Sequence, residues 1–138
     1  MATIKISDIE GIGAANAKKL AKAGIKSVGA LLKKGASRKG REEISKVTGI
    51  DAKTILTWVN MADLYRVKGI GSEYSELLHK AGVDTVAELR NRNAENLVKK
   101  MAEVNSAGKK RLVRALPTVK RVQTWIANAK KLDKVVTH

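Results

Sequence analysis

Two Gly-Ile-Gly turns set 58 residues apart constrain this chain more than any other feature in it. The first lies in Ile9-Glu10-Gly11-Ile12-Gly13 and is followed by Ala14 to Leu20 and then Ala23-Gly24-Ile25. The second lies in Val67-Lys68-Gly69-Ile70-Gly71 and runs on to Ala81-Gly82-Val83. Glycine costs about 1 kcal/mol against alanine inside a helix, so a closely spaced pair marks a tight turn whose backbone approaches something closely. The helix opening at Ala14 carries Ala17, Leu20 and Ala23 on one face, and Gly24 stands where a helix favours a left-handed C-terminal residue. Gly11, Ile12, Gly13, Leu20, Lys22, Ala23, Gly24, Val28 and Leu31 are met by Gly69, Ile70, Gly71, Leu78, Lys80, Ala81, Gly82, Val86 and Leu89. The unit is duplicated.

The rest of the chain reads as helices. Ser7 or Asp8 caps a single turn after Ile4 and Ile6. Ser27 caps a segment with Val28, Leu31 and Leu32 that Gly35 ends, and Ser37 caps Arg38 to Thr48, with apolar Ile44 and Val47, before Gly49. Asp51 caps a helix with Ile55, Trp58, Val59 and Ala62 that leads into the second turn. Thr85, Asn93 and Thr118 cap three more, the second carrying Leu97, Met101 and Val104 and the last Val119, Val122, Trp125, Ile126 and Ala129. Trp125 matches Trp58 at an offset of 67, because the second copy carries a basic insertion between Asn105 and Leu116. Alternation never extends beyond Thr3 to Ile6, so no strand competes. The expectation is an all-α protein of two halves, 1–66 and 67–138, forming one compact domain. With 43% hydrophobic residues but no Phe, its interior is built from Leu, Ile, Val and Ala.

An aliphatic residue before Gly-Ile-Gly and Ala-x-x-Leu behind it resemble the helix-hairpin-helix motif of Holliday-junction-binding proteins, DNA ligases, repair polymerases and DNA glycosylases. The layout is also similar to a family of short bacterial proteins of unknown function with tandem units of this kind. That likeness is carried by Gly35-Ala-Ser-Arg-Lys-Gly-Arg-Glu-Glu and by Trp58-Val-Asn-Met-Ala-Asp-Leu64, and it covers nearly the whole chain. The resemblance implies sequence-independent binding of a phosphate backbone by hairpin amides. A helix N-terminus offers unpaired N–H groups and the positive end of the dipole, and glycine leaves the approach open. Carried onto this chain, the contacts are Gly11, Ile12, Gly13, Ala14 and Ala15, with Asn16, Lys18, Lys19 and Lys22 as side-chain candidates. The second copy supplies Gly69, Ile70, Gly71 and Ser72. A monovalent cation on hairpin carbonyls near Gly11 and Gly69 is a further implication.

Charge bears on this. The chain has a formal charge of +15 and a pI near 10.2, which favours a polyanionic partner. Residues 1–66 hold 13 Lys and Arg against 6 Asp and Glu, residues 67–107 hold 6 against 6, and residues 108–138 hold 9 against 1. The first hairpin helix offers Lys18, Lys19 and Lys22, whereas the second offers Glu73 and Glu76 where a phosphate would approach. Hairpin one is therefore expected to be the better phosphate ligand. Lys109, Lys110, Arg111 and Arg114 of the insertion either replace the phosphate contact that hairpin two does not make or form a solvated loop or helix face. Trp58 and Trp125, on apolar stripes at matching places, are expected in the core. Tyr65 and Tyr74 flank the second hairpin. His79 and His138 have no partner spaced for metal or catalysis and are expected to face solvent.

Without clustered carboxylates or a phosphate-binding Gly-rich loop, the chain reads as a non-enzyme with no cofactor and no metal cluster. It has no cysteine, no apolar run near 18 residues and no apolar segment at Met1 to Ser7, so a cytoplasmic protein is expected, at the nucleoid if it binds DNA. The expected function is non-sequence-specific binding of duplex DNA. The alternatives are a protein-interaction module or accessory subunit of a nucleic-acid-processing complex, with a protein contact through hairpin two, and RNA binding.

Overall fold

The computed structural model describes residues 5–9, 11–107 and 115–137, and their secondary structure is all helical. A single 3-10 turn, Ile6–Asp8, precedes α1 (Gly13–Lys22), α2 (Val28–Gly35), α3 (Arg38–Thr48), α4 (Ala52–Leu64), α5 (Ser72–Lys80), α6 (Val86–Leu89), α7 (Ala94–Ala107) and α8 (Val119–Ala129). Two units divide the chain: unit 1 is Met1–Asp63 with Val135–His138, and unit 2 is Leu64–Lys134. The repeat boundary read from the sequence at 66/67 lies close to the first junction of these compact units, and Val135–His138 group with unit 1. Among the described residues no helix is long and apolar enough to cross a membrane.

Unit 1 is built from locally encoded caps. Ser27 Oγ accepts from Ala30 N at 3.0 Å, Ser37 Oγ from Gly40 N at 3.1 Å, and Asp51 Oδ1 from Lys53 N at 3.1 Å. α1 ends in a Schellman closure, in which Ile25 N donates to Leu20 O at 2.9 Å and Gly24 N to Ala21 O at 3.0 Å, with Gly24 at φ +82°. Lys34 Nζ donates to Ala23 O at 3.1 Å, so this lysine is committed to the end of α1. Ile9, Ile12, Leu20, Ile25, Leu31, Ile55, Trp58 and Val59 are buried. Val47, expected on an apolar stripe with Ile44, is 61% exposed. Gly35 is not the left-handed terminator its position suggests. It is buried because a Cβ there would lie 2.4 Å from Val59 Cγ2, so glycine serves close packing of α2 against α4.

The sequence reading passed over Arg41. Its place in α3, four residues after the cap, is occupied in α7 by Leu97, four residues after Asn93. Arg41 is equally buried, at 4% exposure. Its guanidinium donates to Gly35 O at 2.8 Å, Ala36 O at 3.0 Å and Thr137 O at 2.6 Å. Thr137 N donates in turn to Ala36 O at 2.8 Å, and Val136 is buried beside it. Burial, more than the neighbouring Arg38, holds the Arg41 pKa below the ordinary arginine value, against the pull of Glu42. Arginine remains charged in proteins all the same, so a fixed cation straps Val135–Thr137 to α2 and α3. Replacing Arg41 by Met leaves the buried Gly35 carbonyl without its donor, releases Thr137 O, and is expected to destabilise the protein by about 2 kcal/mol. A urea titration read by tryptophan fluorescence measures this, and a midpoint equal to wild type contradicts it.

Unit 2 repeats the scheme around α5, α7 and α8. Leu64, Val67, Leu77, Leu78, Leu89, Leu97, Met101 and Trp125 share its core. Val83 N donates to Leu78 O at 2.8 Å and Gly82 N to His79 O at 3.1 Å, the same closure as in α1. Arg92 Nη2 donates to Gly82 O at 2.9 Å, so Arg92 does for α5 what Lys34, 58 residues earlier, does for α1. His79 is not simply solvent-facing. Its Nδ1 lies 2.8 Å from Asp84 Oδ1 and its side chain is two-thirds covered.

Candidate nucleic-acid interface

Each Gly-Ile-Gly turn is closed by one hydrogen bond between two buried aliphatic residues. Ile12 N donates to Ile9 O at 3.1 Å, and Ile70 N to Val67 O at 3.1 Å. These four side chains are at most 3% exposed. Ile12 and Ile70, carried over as contact residues, therefore offer a partner only main-chain atoms. The glycine ahead of each is left-handed, with Gly11 at φ +90° and Gly69 at φ +94°. It also covers a tryptophan edge. A Cβ on Gly11 would lie 3.2 Å from Trp58 Nε1, and one on Gly69 would lie 3.0 Å from Trp125 Nε1. The two tryptophans are buried as expected, each with its indole nitrogen against the exposed first glycine of its own Gly-Ile-Gly turn.

Beyond the turn of unit 1, Gly13, Ala14 and Ala15 are exposed and begin α1. Gly13 has φ +59°, and no atom lies within 4 Å of where its Cβ would stand. Lys18, Lys19 and Lys22 are exposed, and none is ion-paired among the described residues. From Gly11 to Arg41 the sequence contains nine Lys and Arg and no Asp or Glu, so the helix presents its lysines without local neutralisation. Asn16 does not reach outward. Its Nδ2 donates to Gly11 O at 3.2 Å, which braces the turn and gives that carbonyl, one of those considered for a cation, a protein donor.

Helix capping separates these two turns from the rest of the molecule. Six of the eight α-helices have a Ser, Thr, Asp or Asn side chain accepting a first-turn N–H: Ser27, Ser37, Asp51, Thr85, Asn93 and Thr118. The two without a side-chain cap among the described residues are α1 and α5, the helices that follow Gly-Ile-Gly. Their first N–H groups are open to an external acceptor.

The second turn differs in detail. Gly69 is exposed, but Gly71 is in extended conformation at φ −106°, not left-handed like Gly13. Ser72 opens α5, and Glu73 follows it in the first turn. Lys68, exposed, stands at the place of Glu10 in the first copy. Tyr74 stands at the place of Asn16, and its hydroxyl donates to Ala115 O at 3.2 Å. Arg121 of α8 lies over the Tyr74 ring at 5.1 Å and over the Trp125 ring at 5.7 Å. Sequence reasoning missed Arg121, although its spacing of one helical turn from Trp125 was visible. Lys109, Lys110, Arg111 and Arg114 lie outside the described residues. Among the described residues no group of three or more His, Cys, Asp and Glu side chains gathers as a metal site.

A family model described as a domain of unknown function, DUF4332, matches residues 10–132. No solved structure matches the chain.

Proposed function

The chain belongs to that family, and we propose that it is a tandem helix-hairpin-helix protein that binds duplex DNA through backbone phosphates, without base readout. The observation that carries this reading is the start of α1. An exposed, uncapped helix N-terminus follows a glycine turn and opens a helix whose lysines meet no acid from Gly11 to Arg41. Amides, dipole and ammonium groups all favour one anion there, and a repeating phosphate chain engages several such groups at once. No base contact is proposed, because the exposed residues of the first turn and the start of α1 are glycine, alanine and lysine, which suit a backbone better than a groove edge.

Anisotropy titrations of a random-sequence duplex across a salt series test the proposal. Affinity is expected to fall with a slope of about −0.9 per neutralised phosphate. Absence of binding at low salt overturns it, and a nuclease-resistant pull-down would then favour a protein-contact module. Competition with structured RNA decides the nucleic acid.

The turns themselves provide a paired prediction. A Cβ at Gly13 has open space around it, so Gly13→Val costs chiefly about 1–2 kcal/mol of left-handed strain and places that Cβ in the path of the phosphate. Gly13→Val is expected to weaken duplex binding about tenfold, the worth of one phosphate contact near 0.1 M salt. Gly71→Val, at a φ that any residue adopts, is expected to lose much less. Equal losses in the two variants count against the proposed role of the first turn.

A further inference from the structure

We propose that Arg121 is the phosphate-binding residue of unit 2, a guanidinium brought from α8 to the second hairpin because α5 has Glu76 and Leu77 where α1 has Lys18 and Lys19. The inference rests on the DNA-binding reading and deepens it. The sequence alone points to a degenerate second hairpin, since the first turn of α5 carries Glu73 where α1 has Ala15. The structure places a cation beside the turn by another route. Gly69 sits on the pyrrole edge of Trp125, and Arg121, one turn earlier on α8, lies over the same indole. Tyr74, in the first turn of α5, is tilted at 58° to that indole with ring centroids 5.2 Å apart, and Arg121 covers its ring as well.

A guanidinium over two aromatic rings is held in place without a carboxylate to neutralise it. Arg121 Nη1 makes one hydrogen bond, to the Tyr74 hydroxyl at 3.4 Å, and no carboxylate among the described residues pairs with it. One of its five N–H donors is thus engaged, and the others are available for the bidentate geometry that suits a phosphodiester. The side chain is exposed, and so is Lys68 at the tip of the adjacent turn. Glu73 repels an anion from the α5 amides, so the favourable approach is along Arg121 and Lys68. The aromatic faces are already covered by the guanidinium, which argues for phosphate contact over base stacking.

The test compares wild type, Arg121→Gln, Arg121→Lys and Gly13→Val in duplex titrations across the salt series, with thermal melts of each. Arg121→Gln is expected to weaken binding about tenfold near 0.1 M salt and to reduce the magnitude of the salt slope by about 0.9. Arg121→Lys keeps the charge and is expected to restore the slope while leaving affinity below wild type, since lysine lacks the planar stacked fork. The Nε–Hε resonance of Arg121 is expected to move when the duplex is added. Wild-type slope and affinity in Arg121→Gln, with Gly13→Val still impaired, overturn this inference and leave the DNA-binding reading intact. A wild-type chain that binds no duplex at low salt overturns both.

Discussion

Exchanging Lys18, Lys19 and Lys22 together for glutamine is expected to reduce duplex affinity by about 10²–10³-fold near 0.1 M salt and to flatten the salt slope by about 2.7. Each lysine releases about one counterion on meeting a phosphate, and all three lie exposed on α1 behind the uncapped start of the helix. Folding is expected to respond in the other direction. Lys18 and Lys22 are like charges four residues apart on one helix, an arrangement that costs a few tenths of a kcal/mol, so the neutral variant gains slightly in stability. Anisotropy titrations and a thermal melt on the same samples separate the two effects. A full-affinity triple variant would remove α1 from the interface.

Gly40→Ala is expected to destabilise the protein by more than about 3 kcal/mol, at the upper end of what overpacking costs. Gly40 lies in the first turn of α3, where a Cβ would fall 1.9 Å from the carbonyl oxygen of Lys34. That atom is backbone and cannot rotate aside, so α2 and α3 must separate. The Gly40 N–H to Ser37 Oγ cap and the Arg41 bonds to Gly35 and Ala36 span the same junction and are strained with it. A chemical denaturation curve measures the loss. A midpoint shifted by less than that of Arg41→Met would show that the junction yields more easily than its geometry indicates.

The fold was legible where its causes are local. Ser27, Ser37, Asp51, Thr85, Asn93 and Thr118 cap the helices they precede, because a short polar side chain reaches a first-turn N–H only two or three residues on. Gly24 and Gly82 close their helices for the same kind of reason. Positions determined by distant neighbours were not legible. Arg41 looks like one more surface cation until Thr137, 96 residues away, comes back to meet it. Gly35 looks like a helix stop until Val59 fills the space beside it. The candidate site divides along the same line. The exposed turn and lysines of unit 1 follow from the repeat, whereas Arg121 acquires its setting from Tyr74, 47 residues distant, and no spacing rule joins those two.

The return of Val135–Thr137 to unit 1 has a topological consequence. Leu64–Lys134 is nested within the sequence of unit 1, so both of its ends are tethered while the Arg41 clasp holds. A closed segment has fewer disordered arrangements than a free-ended one, and its unfolding gains correspondingly less entropy. Releasing Val135–Thr137 from α2 and α3 therefore loosens the whole nested stretch, by enlarging the disorder available to it.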